Sequence, residues 1–88
     1  MKPKVNEYRE VIGTLGDIEF KLRPPTNRDL IFIESLALEV TSNIEKQLRI
    51  FALLSELNYE VLLDLPGEST EVMTVALELF PVFRQKNK

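Results

Sequence analysis

The stretch Leu22-Arg23-Pro24-Pro25-Thr26-Asn27-Arg28-Asp29-Leu30 decides the fold, because an alternating strand ends in it and an amphipathic helix begins. Upstream, Ile18, Phe20 and Leu22 alternate with Glu19, Lys21 and Arg23, the period-two pattern of a strand with one buried face. Pro24 and Pro25 lack backbone donors and push Arg23 toward extended geometry, so the strand cannot run on and the helix cannot start early. Thr26 is placed to cap the new helix. Asp29 then stands at the N3 position of a capping box, with its charge near the positive helix end.

Working back from this junction, Tyr8 to Thr14 reads as a first strand, Leu15-Gly16-Asp17 as a turn, and Ile18 to Arg23 as the returning strand of a β-hairpin. Two strands alone are marginal in water, so the hairpin must lay Ile18, Phe20 and Leu22 on helices. Working forward, the first helix should run from Asn27 to about Glu39. Ser42-Asn43-Ile44-Glu45 forms a second capping signal and opens a helix through about Leu57. One unbroken helix from Asn27 to Leu57 would set two capping residues against their preference, so a break is expected at Thr41-Ser42-Asn43. Asn58 caps a short turn through Leu63, Pro66-Gly67 ends it, Ser69 opens a last helix, and Pro81 stops or kinks that helix. The fold class is therefore α+β: an N-terminal β-hairpin packed on a bundle of three to four α-helices. A flexible N-terminal tail (1–7) precedes the single domain (8–83), and a flexible basic tail (84–88) follows it.

Composition limits the function. A chain of 88 residues forms one domain with a modest core and little room for a deep catalytic cleft. With 44% hydrophobic and 28% charged residues, it has the composition of a folded globular chain. No cysteine or histidine is present, which removes disulfides, thiolate and imidazole ligands, and the commonest acid-base groups. The remaining carboxylates, lysines and tyrosines do not converge in spacing. Glu56, Glu60 and Asp64 would form a carboxylate row only on a helix unbroken at Asn58, and the capping signal there argues for a solvated face. Gly13 and Gly16 join two strands, so no phosphate loop arises. No enzyme activity, cofactor, metal or small-molecule substrate is expected. The net charge of −3 is unevenly spread, with basic residues at the two ends and an acidic body between, which disfavours nucleic acid. No apolar run is long enough for a membrane span and none follows the N-terminal lysines as a signal would. A cytoplasmic protein is expected.

Apolar residues exceed what this plan can hide. Leu30, Ile31, Phe32, Ile33, Leu36, Ala37, Leu38 and Val40 surround most of the first helix, leaving a strip through Asp29, Glu34 and Ser35. The last helix is similar, with Val72, Met73, Val75, Ala76, Leu77, Leu79, Phe80, Val82 and Phe83. A helix with neighbours on two sides explains a broad stripe; a groove or self-association face explains it as well. On the second reading Leu77, Phe80 and Phe83 are the candidate partner-binding residues, expected to be partly exposed.

A strand ending in Leu22-Arg23, then Pro25-Thr26, two variable residues, Asp29-Leu30 and a long helix resembles the small tail assembly chaperones of tailed bacteriophages. The similarity runs from about Gly13 to about Phe83 and takes in Phe51-Ala52-Leu53-Leu54-Ser55-Glu56-Leu57 and Leu62-Leu63-Asp64-Leu65. Asn58-Tyr59 stands where that family often has Ser-Pro, and Ser69 where it often has an acidic residue; both still suit helix starts. The resemblance implies binding without catalysis. Its implied partners are the tape measure protein, kept soluble during assembly, and the tail tube protein gathered around it. The competing expectation is a homodimeric adaptor or regulatory domain, joined through the last helix and unrelated to phage.

Overall fold

A computed structural model describes residues 2–84. A three-stranded antiparallel sheet of β1 (Lys4–Val5), β2 (Val11–Leu15) and β3 (Ile18–Leu22) is followed by α1 (Asn27–Ala37), α2 (Asn43–Ser55), α3 (Tyr59–Leu63), α4 (Ser69–Glu78) and a 3-10 turn at Pro81–Phe83. The fold is α+β, as the sequence predicts.

The hairpin register pairs Val11 with Leu22, Gly13 with Phe20 and Leu15 with Ile18, which collects the apolar positions of both strands on one face. Gly16 takes φ 63° in the two-residue loop between Leu15 and Ile18, a conformation that glycine adopts without a steric cost. Gly13 is needed for space: a Cβ there would lie 2.7 Å from Cζ of Phe20.

The N-terminal reading needs correction in two places. Lys4 and Val5 are not part of a flexible tail but pair with Ile12 and Val11 as a short edge strand. The first long strand also starts at Val11, not Tyr8, because Asn6 organises a tight turn between the strands. Its side-chain oxygen accepts from the Tyr8 and Glu10 N–H groups, both at 2.9 Å, while Arg9 takes a left-handed φ of 65°. Two residues of strand are too few to show an alternation, so this edge had no readable signal. Of the C-terminal tail, Arg84 donates to the Glu78 carbonyl at 3.0 Å, satisfying an end of α4. The rest of that tail, and Met1, lie outside the described residues.

At the strand-to-helix junction the capping box is complete. The Thr26 hydroxyl accepts from the Asp29 N–H at 3.3 Å, and the Asp29 carboxylate accepts from the Thr26 N–H at 2.8 Å. Arg23 donates to both oxygens of that carboxylate, one at 3.0 Å, and its backbone N–H reaches the Leu54 carbonyl at 3.1 Å. Asp29 thus does more than cap: it is buried, and with Arg23 it fixes which face of α1 looks inward.

The Arg23 hydrogen bonds hold the Asp29 carboxyl at about 2, below its ordinary range; burial works against this, and the two Thr26 donors help. A carboxylate whose folded pKa lies below its unfolded value contributes stability that is fully present above about pH 4 and is lost as pH falls through about 2. Arg23 keeps 35% of its side chain in water, so screening limits the contribution to about 1 kcal/mol. Urea unfolding between pH 5 and pH 2 should therefore show this loss, and Asp29→Asn should remove it from the pH slope. An identical acid limb in the variant would contradict the assignment.

The helix break falls where Ser42 predicts it, its hydroxyl accepting from the Glu45 N–H at 3.0 Å. The hub of the domain is α2, which packs on β3, α1, α3 and α4. Its buried residues Leu48, Phe51 and Leu54 join Val11, Leu15, Phe20, Leu22, Leu62, Met73, Ala76, Leu77 and Phe80 in one core. Glu56, in a left-handed conformation at φ 62°, ends α2, and the Asn58 side chain accepts from the Glu60 N–H at 2.8 Å to start α3. The start of α4 departs from expectation. Ser69 is its first helical residue, not its cap, and Glu68 before it makes no side-chain capping bond. Across the α2–α4 contact, Gln47 donates to the Thr70 carbonyl at 3.0 Å and accepts from the Thr74 hydroxyl at 3.1 Å.

Candidate interaction surface

The most exposed apolar side chains lie on α1 and just after it, while Val61 and Leu63 of α3, Val75 of α4 and Val82 beyond it are exposed as well. The inward face of α1 carries Asp29 and Leu36, one above the other at i and i+7, and Leu36 is the sole buried apolar residue of the helix. The opposite azimuth carries Ile31 and Leu38, also at i and i+7. Ile31 is 66% exposed and Leu38, at the helix C-cap, 83%. Phe32 is exposed on the flank, Val40 in the following turn is wholly in water at 101%, and Ile44 at the start of α2 is exposed as well.

Together these five side chains leave on the order of 600 Å² of apolar surface in contact with water, spread over α1, the turn after it and the start of α2. The helix beneath them is held by polar anchors at its ends: the Arg23–Asp29 pair at the start and Lys46 Nζ, which donates to the Ala37 carbonyl at 3.1 Å, at the end. Beside that end, Arg49 links Glu45 at 2.8 Å and Glu39 at 3.5 Å. The surface is thus rigidly mounted, apolar, and balanced in charge.

The three residues expected to form a partner face lie elsewhere. Leu77 is 8% exposed and Phe80 6%, both members of the core, so the expected partial exposure is corrected for these two. Met73, Ala76 and Leu77 recur at helical spacing on one stripe of α4, which α2 and β2 cover, and Phe80 just past the helix end joins them in the core. Phe83 is half-buried and packs edge-on to Phe80, with ring centroids 6.1 Å apart. One signal in the sequence could have located the true patch. Once Asp29 is drawn inward by Arg23, residues i+2 and i+9 from it must point out.

The polar groups do not gather. Glu56 sits in a left-handed conformation and Asn58 restarts the chain, so Glu56, Glu60 and Asp64 share no helix face. Among the described residues no three His, Cys, Asp or Glu side chains form a set that could hold a metal ion, and no helix is long and apolar enough to cross a membrane. A shallow cleft of about 440 Å³ lies between the hairpin turn and the α3–α4 connection, lined by Leu15, Ile18, Leu65, Pro66 and Val72 with Asp17 and Glu68. It is mainly apolar and holds no acid-base pair within hydrogen-bond reach.

No protein-family model matches the chain, and no curated protein and no solved structure matches it. The fold and the surface together define a small α+β domain that presents an uncovered apolar helix.

Proposed function

We propose that this protein is a bacteriophage tail assembly chaperone acting by binding, without catalysis, in the cytoplasm of the bacterial host. Its α1 face covers apolar helical stretches of the tape measure protein and keeps them from aggregating until tail tube subunits gather around them. The observation that carries this reading is the exposure of Ile31 and Leu38 on a helix whose other face is anchored. Two residues at this spacing match the i, i+3, i+4, i+7 anchors by which one amphipathic helix engages another. The resemblance around Arg23-Pro24-Pro25-Thr26 and Asp29-Leu30 names the client. An acidic body adds soluble charge to the complex.

The competing adaptor, joined through its last helix, has less support because Leu77 and Phe80 lie in the core, although Val75 and Val82 are exposed. The test is co-expression with the tape measure protein that this reading expects to be encoded beside this chain. Soluble tape measure protein should rise and a complex should co-purify, and Leu38→Glu should abolish both effects while the isolated domain stays folded. No complex and no gain in solubility with the parent chain would sink the proposal.

A further inference from the structure

The α1 face has a layout that complements itself. Along its outer azimuth stand Asn27, Ile31, Ser35 and, at the C-cap, Leu38; Arg28 lies on one flank and Glu34 on the other, and Glu39 follows in the turn beyond the helix. In an antiparallel pair of α1 helices related by a twofold axis near Ser35, Ile31 of each copy meets Leu38 of the other. The same operation brings the Arg28 end of each helix to the end of the other that Glu39 follows, which sets opposite charges near each other. Arg28 has no ion-pair partner among the described residues, and Glu39 is held only at 3.5 Å by Arg49.

We propose that two copies of this chain pair through antiparallel α1 helices, and that this pairing covers the apolar face until a client displaces the second copy. The competition, unlike the pairing, rests on reading α1 as the client-binding surface. Exposure favours a second copy: Ile31 and Leu38 stand 66% and 83% in water on the outer azimuth, and an antiparallel copy covers both at once. Charge favours it too. The face holds Arg28 against Glu34, with Glu39 shared by Arg49, so it attracts neither a strongly basic nor a strongly acidic partner and instead fits one carrying the same two signs in reverse order. Ser35 is small and lets the helices approach at the crossing. The two Glu34 carboxylates come near the axis on the far flank, a like-charge contact in water that keeps the pair weak and displaceable.

Sedimentation equilibrium of the full chain from about 10 μM to about 1 mM decides the matter. The average mass should climb from monomer toward dimer across this range. Leu38→Glu should stay monomeric with an unchanged far-UV spectrum. Arg28→Glu and Glu39→Arg should each weaken pairing about tenfold, and the two together should restore it. A monomer at every concentration, a dimer indifferent to Leu38→Glu, or charge reversals that fail to compensate would each overturn the paired-helix interface. Adding the soluble tape measure segment recovered by co-expression should convert dimer to a complex with one copy of this chain per site. If the dimer persists with client bound, the competition is overturned while the pairing stands. A chain that binds client but never pairs removes this inference and leaves the proposed function intact.

Discussion

Leu77→Glu should leave the chain unfolded at room temperature, whereas Leu38→Glu should leave it folded and melting within about 5 °C of the parent. Both substitutions put a carboxylate where a helical leucine stood, so the difference isolates environment. Leu77 is buried in the α2–α4 contact. Removing its side chain costs about 2–5 kcal/mol, and a carboxylate with no cation beside it adds a desolvation cost of several more. A domain of this size has only about 4–13 kcal/mol in total. At Leu38 the side chain loses almost no burial, and a negative charge at the C-terminal end of α1 costs about 0.3–1 kcal/mol. Circular dichroism and thermal melts of the two variants suffice. A cooperative, parent-like melt for Leu77→Glu would mean that α4 is not packed as described and would return it to the list of candidate binding faces.

The contrast also shows where the sequence was informative and where it was not. Local punctuation carried most of the fold: the prolines before Thr26, the caps at Thr26, Ser42 and Asn58, and the period-two run of β3 each acted through neighbours a few residues away, and each stands where it was read. Ser69 was the exception among the caps, since the turn at Pro66-Gly67 brings the chain into helical geometry one residue early, at Glu68. The exposed apolar face depended on something no local pattern holds, namely which of two apolar helices the hub would cover. α1 and α4 both carry more apolar residues than one face can take. α4 packs against α2 and β2, and α1 meets chiefly α2 because the Arg23–Asp29 pair tethers it at the end of β3. That choice is made by long-range packing, so Leu77 and Phe80 went to the core and Ile31 and Leu38 to water.

The other large effect lies at the sheet-to-hub contact, where Phe20→Ala and Phe51→Ala should each cost about 3–5 kcal/mol. The rings meet edge to face with centroids 5.0 Å apart at 71°, the geometry that brings the positive edge of one ring to the negative face of the other. Phe51 has no exposed surface, and the Phe20 ring lies against Gly13, where a Cβ would come within 2.7 Å of it. A cavity so bounded collapses poorly, because β2 and α2 are each held by other contacts, which places both losses toward the upper end of the range. Lys21→Ala, on the exposed face of the same strand, should change stability by less than about 0.5 kcal/mol. The pair interaction itself is best read from the milder Phe20→Leu and Phe51→Leu, since two alanines together would approach the whole stability of the domain. Their double-mutant cycle should give a coupling of about 0.5–1.5 kcal/mol. Additive losses within about 0.3 kcal/mol would show that the rings contribute only buried area, and equal losses at Phe20 and Lys21 would overturn the register of β3 altogether.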